Sequence, residues 1–308
     1  MAVLTSVVVP SRGGAARLPR LLDALVAQRD AAVEAVVVVD GDVDGSAATV
    51  APWRDRLDLT VVVLPENRGR PAALNAGFAA ARGDVLVRCD DDLDPAPDFA
   101  LRHATGHAGP PVGVVGLVRN VFPATPYARA YGRHWDALQR EHAYAASPAT
   151  RWRHWAANAS VTRETWQRIG PYDEGFRRYG WEDVDWGYRL HLAGIPVVID
   201  PALETPHHLA AVTCEERARR AFHSGAARLR FERKHDLPTS TAPDSAWGRA
   251  VERAAAYLTE ERAAAWGRRL DRRVGRVPAP LARKIVAFLV ESASAAGHRR
   301  PEGVGTTF

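Results

Sequence analysis

Over the first 120 residues the chain switches repeatedly between strand-like and helix-like spacing of its apolar positions. Val3 to Val9 reads as a strand buried on both faces. Pro19 then opens a helix whose Leu18, Leu21, Leu22 and Leu25 recur at the 3.6-residue period. Val36 to Val39 and Thr60 to Leu64 are two further strands, with a helical stretch near Ser46 to Arg56 between them. Pro71 to Ala81 is the next helix, Val85 to Cys89 a fourth strand and Val112 to Val118 a fifth. Strands that alternate with helices predict a mostly parallel α/β sheet flanked by helices. In such sheets ligands bind beyond the C-terminal strand ends, so the informative loops follow Val9, Val39, Leu64 and Cys89.

From Pro123 to Pro206 the pattern is mixed, and six of the nine tryptophans fall there. Beyond Ala210 only helical patterns appear, in Glu215 to Lys234, Ala246 to Arg273 and Leu281 to Ala296. The expected organisation is therefore a domain over 1–210, with halves at 1–120 and 121–210, followed by a helical extension over 211–308. Composition adds little to this: 46% apolar and 25% charged residues are ordinary for a globular protein. Cys89 and Cys214 are the only cysteines, which excludes a disulfide scaffold. The chain opens on a strand pattern without a basic n-region or cleavage site, and no apolar run approaches a membrane span. A cytoplasmic location is expected.

Charge changes the picture more. The net charge of +5 divides into −3 over residues 1–210 and +8 over 211–308. The first region is slightly acidic, which argues against nucleic acid as its partner. The second is basic and arginine-rich. It reads as an extension with its charges in water, or as a peripheral contact with the inner face of a membrane.

The candidate chemistry lies in the loops. Asp40-Gly41-Asp42-Val43-Asp44-Gly45 follows the second strand and imitates the start of an EF-hand, but the twelfth position is Ala51 and no helix precedes it. It reads either as a polar turn that caps the next helix or as a carboxylate placed to bond a nucleobase or ribose. Asp90-Asp91-Asp92-Leu93-Asp94 follows the fourth strand, and carboxylates so crowded need a cation to gather them. Mg2+ and Mn2+ prefer such oxygen ligands and complete their shell with substrate phosphates. Glu182 and Asp183 open a helix at Gly180-Trp181-Glu182-Asp183, where they serve as caps or as a catalytic carboxylate. His207 and His208 follow an apolar run as ligand candidates, whereas His103 and His107 lack a third ligand nearby.

In order and separation these motifs resemble the family 2 glycosyltransferases, whose fold is the Rossmann-like GT-A. The resemblance covers residues 3 to 210. It implies an inverting, metal-dependent transferase that moves a sugar from a nucleotide-diphosphate donor, with a uridine donor as the default, onto a glycan, lipid-linked or small-molecule acceptor. Val7-Val8-Val9-Pro10-Ser11-Arg12 is similar to the opening strand and turn, with Arg12 as a departure, and Val39-Asp40 to Ser46 to the loop whose Asp contacts the base. The donor nucleotide then falls to Pro10, Ser11, Arg12, Asp40, Asp42, Asn67, Arg70, Asn75, Asp90 and Asp91. The metal, Mn2+ or Mg2+, falls to Asp90, Asp92 and His207. Asp183 is implied as the catalytic base, with Glu182, Asp173, Trp181 and Asn158 on the acceptor side. A sugar-phosphate nucleotidyltransferase and a catalytically degenerate binding module are the alternatives. The first would need a better triphosphate loop than Ser11-Arg12-Gly13-Gly14, and the second rests on the departures at Arg12 and Val39.

Overall fold

The computed structural model describes residues 3–177, 179–239 and 245–300. They hold a seven-stranded sheet in the order β3-β2-β1-β4-β7-β5-β8 and a two-stranded ribbon, β6-β9. The strands are β1 (Leu4–Ser11), β2 (Ala32–Asp40), β3 (Asp58–Leu64), β4 (Val85–Cys89), β5 (Gly113–Val115), β6 (Val118–Asn120), β7 (Asn158–Thr162), β8 (Val197–Ile199) and β9 (Thr205–His207). β1 to β4 run parallel to one another, and β7 lies antiparallel to both β4 and β5.

The helices are α1 (Leu18–Val26), α2 (Ser46–Thr49), α3 (Arg70–Ala80), α4 (Phe99–Gly106), α5 (Arg133–Tyr144), α6 (Arg163–Ile169), α7 (Glu182–Leu192), α8 (Cys214–Lys234), α9 (Ala246–Tyr257), α10 (Glu260–Asp271) and α11 (Ala279–Arg299). The mostly parallel sheet with flanking helices and a helical C-terminal region agrees with the sequence pattern. Boundaries differ where a local residue intervenes. Pro52 confines the helix expected over 46–56 to one turn at α2 and a 3-10 turn at Ala51–Trp53. The run 112–118 divides into β5 and β6, and 246–273 into α9 and α10 with Thr259 capping the second.

By contacts the chain forms two compact units. The first comprises residues 1–120, 140–177 and 182–209 and contains the sheet; the second comprises 121–139, 178–181 and 210–308. Residues 121–139, assigned by the sequence pattern to the acceptor half, thus group with the C-terminal helices. The core of the first unit is built by Val7, Val9, Val37, Val39, Val85 and Val87 from the strands, with Leu18, Leu21, Leu22 and Leu25 from α1. Burying a side chain of this size contributes roughly 1.5–3 kcal/mol, which explains why the apolar spacing predicts these elements well.

The second unit is held by small residues. A Cβ at Gly225 of α8 would overlap the backbone of Ser294, and one at Gly297 of α11 would overlap Phe222, so the two helices approach at backbone distance. Among the described residues no helix is long and apolar enough to cross a membrane.

Candidate active site

β1, β2 and β4 are parallel neighbours, so the loops that follow them emerge at one end of the sheet. β1 lies between β2 and β4, the place where strand order reverses in sheets of this kind and where ligands bind. The loop after β4 carries Asp90, Asp91 and Asp92, and each carboxylate faces a different cationic or imidazole group.

Asp91 is buried and accepts from Ser11 Oγ (2.5 Å) and from Arg17 Nε (3.0 Å) and Nη2 (2.8 Å). Burial raises its carboxyl above the ordinary value, opposed by Arg17. Asp90 accepts with both oxygens from Arg88, at 3.0 Å from Nε and 3.3 Å from Nη2. Burial alone would raise its carboxyl as well, but the charges of Arg88 and Arg70 leave it below the usual range. Arg88 is itself 1% exposed and forms a second ion pair, through Nη1, with Asp183 at the start of α7. One buried guanidinium therefore holds the acidic loop and the candidate base. It neutralises two carboxylates that could not be buried together without it.

Asp92 differs. Its Oδ2 lies 3.0 Å from His207 Nε2, while its Oδ1 is buried and has no hydrogen-bond partner. His207 is brought there by β9, which bridges Leu93 and whose next residue, His208, donates its backbone N–H to Asp92 O (2.9 Å). His207 Nδ1 faces Asn120 Oδ1 at 2.5 Å, an acceptor, so Nδ1 carries the hydrogen. In the neutral ring the Nε2 lone pair then points at a carboxylate, an arrangement relieved only by a proton or a metal cation. Ligands in adjacent positions on an octahedral cation at about 2.1 Å lie about 3.0 Å apart, which matches the observed separation. The residues present thus fit a divalent ion.

Among the described residues no group of three His, Cys, Asp or Glu side chains gathers at one point. The protein's share would accordingly be Asp92 and His207, with oxygens of the substrate completing the shell. Asp90, expected as a further ligand, faces Arg88 instead. His208 turns toward Asp94, with Nε2 3.7 Å from Oδ2.

Several residues expected to meet the donor are committed to the scaffold. Asp40 accepts from the backbone N–H groups of Arg68 (2.7 Å) and Gly69 (2.8 Å), which fixes the loop that presents Arg70. Arg12 Nη1 donates to Asp40 O (2.9 Å), and Asn67 Oδ1 accepts from Gly69 N (3.0 Å). Asp42 accepts from Ser46 N (2.9 Å) and Ala47 N (3.2 Å), and so caps α2. Pro10 lies within β1, paired with Val38. Asn75 donates to Tyr172 O (3.0 Å) and accepts from Tyr172 N (2.8 Å), which clamps the 172–174 turn. Arg70 remains 36% exposed and reaches Glu182 Oε1 at 3.2 Å. Glu182 is buried, with Oε2 unpaired.

On the acceptor side, Asp173 caps its own turn by accepting from Gly175 N (2.8 Å). Asn158 is buried and bonds Leu203 O (2.8 Å), Thr205 Oγ1 (3.1 Å) and His103 Nε2 (2.8 Å), so its described bonds are all to protein. His103 and His107 share Ser160 Oγ, each at 2.8 Å, and burial lowers them to about 3 and about 4, which keeps both rings neutral. Trp181 belongs to the second unit. It sits at φ 72°, with its indole donating to Ser224 Oγ (3.1 Å) and its ring centroid 5.1 Å from that of Phe231.

Arg88, Asn120 and Arg17 are not singled out by any sequence motif, yet they organise the three carboxylates. Arg88 leaves one signal: an arginine inside an otherwise apolar buried strand cannot reach water and needs carboxylate partners.

Comparison with known proteins places this geometry. The family described as Glycosyl transferase family 2 matches residues 6–178. The validoxylamine A glucosyltransferase of Streptomyces hygroscopicus subsp. jinggangensis is 30% identical over 235 residues, which cover 66% of this chain and 56% of the relative. The pre-mycofactocin glycosyltransferase of Mycobacterium tuberculosis is 32% identical over 247 residues, 77% of this chain and 49% of that protein. The chain thus spans about half the length of these relatives. A mannosyltransferase from Pyrobaculum calidifontis, solved with GDP-Man and Mn2+, shares the fold at a TM-score of 0.63 and 22% identity, over 96% of this chain and 87% of that one. Staphylococcus aureus TarS, solved with UDP-GlcNAc, does so at 0.52 and 16%, over 93% and 90%.

Proposed function

The chain belongs to glycosyl transferase family 2, and on that premise we propose that it moves a sugar from a nucleoside diphosphate sugar to an acceptor hydroxyl. The proposed reaction is a single displacement that inverts the anomeric centre and uses a divalent cation, with its chemistry confined to residues 1–210. The observation that carries this reading is the Arg88 bridge. Asp90 in the acidic loop and Asp183 at the start of α7 meet on one buried cation. A donor-side loop and a candidate acceptor-side base are thereby neighbours.

Asp183 receives the proton of the acceptor hydroxyl, and Arg88 fixes its position. Asp92 and His207 are the ligands for Mn2+ or Mg2+, and Asn120 sets the His207 tautomer. When bound, the ion acts as a Lewis acid on the leaving diphosphate. Arg70, charged and part-exposed at the start of α3, supplies a charge-assisted contact to phosphate. Each Asp40 oxygen accepts one N–H from the 68–69 backbone and keeps a lone pair, so the uridine preference expected from that residue gains no separate support. The donor is therefore proposed as a class. The TarS and mannosyltransferase structures, with UDP-GlcNAc and GDP-Man, agree with a nucleotide-sugar donor.

Asp183→Asn keeps the shape of the side chain and removes the base. Transfer should fall on the order of 10²–10⁴-fold while donor affinity, read by calorimetry, stays unchanged. Full transfer by this variant overturns the base assignment. An NMR time course that shows the retained anomer would overturn the single displacement.

A further inference from the structure

Several arginines of the second unit are paired: Arg219 with Glu260 (2.9 Å), Arg220 with Glu216 (2.5 Å), Arg228 with Glu232 (2.6 Å), Arg268 with Glu215 (2.6 Å) and, near the end of α11, Arg299 with Glu252. The stretch from Arg272 to Lys284 differs. Among the described residues the side chains of Arg272, Arg273, Arg276, Arg283 and Lys284 make no ion pair or hydrogen bond. All are exposed except Arg283, which is half-buried. Residues 272–290 include these five cations and no acidic residue.

Such a cluster is unfavourable for the isolated chain. Five like charges within thirteen residues repel at separations comparable with the Debye length, about 8 Å at physiological ionic strength. Arg283 and Lys284 also lie near the N-terminus of α11, the end whose dipole disfavours cations, and its first turn holds no acidic residue. Helix end and side chains are of one sign, and no described carboxylate pairs with any of the five cations. Between them Leu281 is 52% exposed beside exposed Pro278, Ala279 and Pro280, an apolar stretch flanked along the chain by cations.

We propose that residues 272–284 dock this protein on an anionic lipid surface, with Leu281 entering the boundary between headgroups and acyl chains and the five cations bonding lipid phosphates. Charge and the apolar stretch together select this partner. Nucleic acid would use the cations but leave Leu281 in water, and the segment has no aromatic residue on which a base could stack. The inference stands apart from the transferase reading, because it involves none of the residues of the acidic loops.

The test is co-sedimentation of the full chain with phosphatidylcholine vesicles, with and without phosphatidylglycerol. The wild type should bind only the anionic vesicles, and less tightly as salt rises. The triple variant Arg272→Gln, Arg273→Gln, Arg276→Gln should bind on the order of 10²-fold more weakly. Leu281→Ser should lose roughly fivefold and keep the salt dependence. Thermal unfolding and turnover with a soluble acceptor should be unchanged in both variants. Equal binding to neutral vesicles, no binding by the wild type, or undiminished binding by the triple variant overturns the proposal. Tighter binding to a short DNA duplex than to the anionic vesicles overturns it in favour of nucleic acid.

Discussion

Two acidic loops leave the same end of the sheet, and the protein uses them in opposite ways. After β2, Asp40 and Asp42 accept from four backbone N–H groups, those of Arg68, Gly69, Ser46 and Ala47. After β4, Asp90, Asp91 and Asp92 face Arg88, Arg17 and His207, and Asp92 keeps one buried oxygen unpaired. Both loops look alike as sequence, with carboxylates at close spacing after an apolar strand. The partners distinguish them. A carboxylate met by backbone amides holds a loop in shape, and its value is stability. One met by side-chain charge, with an atom left over, is arranged for something that arrives later.

The comparison predicts that a variant at Asp92, which unlike Asp90 and Asp91 neutralises no arginine, loses chemistry and keeps stability, and the largest effect should come from Asp92→Ala. Removing this ligand should abolish the manganese dependence of donor binding and lower transfer on the order of 10²–10³-fold, with little change in the unfolding midpoint. Calorimetry with and without Mn2+ reads it directly. If Asp92→Ala unfolds the chain but leaves metal-dependent binding intact, Asp92 is scaffold and the comparison fails. Next in size is Asn120→Ala, which frees the His207 ring without removing a ligand. Metal affinity should fall about 10–100-fold, and saturating Mn2+ should restore turnover.

Why these roles are only partly legible in sequence follows from what each residue must satisfy. Strands β1 to β4 and helices α1 and α3 are amphipathic or wholly apolar, so spacing alone predicts them. β7 escapes because Asn158 and Ser160 stand where apolar residues would reveal a strand. They are buried against His103 and His107, and the hydrogen bonds that permit this join segments over 50 residues apart. The acidic loop and α7 are visible as motifs, but what each carboxylate faces depends on Arg88, Arg17 and Asn120, none of which belongs to a motif. The tryptophans of the mixed region pack on one another: Trp186 stacks with Trp166 and Tyr172 and gives its N–H to Gly170 O (2.9 Å), and Trp155 packs against Trp186 and donates to Tyr172 Oη (2.9 Å).

The first loop should show the reverse behaviour. Asp40→Ala leaves the N–H of Arg68 without an acceptor and that of Gly69 with Asn67 Oδ1 alone. An orphaned buried donor costs about 1–3 kcal/mol, so for this part-buried one a loss of about 1 kcal/mol is expected from denaturant titration. Because the same loop presents Arg70, donor KM should rise more than kcat falls. A large fall in kcat with stability unchanged would move Asp40 into the chemistry and restore the contact to the base.

The smallest effect is the sharpest discriminator. Asp42 is exposed and lies two residues from Asp40, so proximity to the strand ends would assign it a role with the donor. Its bonds assign it another, as its oxygens accept from the first two N–H groups of α2, that of Ser46 being shared with Asp44 Oδ1. Loss of a full cap costs about 1 kcal/mol, which bounds the effect here. Asp42→Ala should therefore lower stability by at most that amount and leave donor affinity, metal dependence and turnover where they were. Asp42→Ser, which can still accept from Ser46 N, should recover part of the loss, whereas Asp42→Glu should not, because the longer side chain moves the carboxylate away from the helix start. Recovery by charge rather than by capping geometry would mean that the first loop also acts through its electrostatic field, and the division between the two loops would no longer hold.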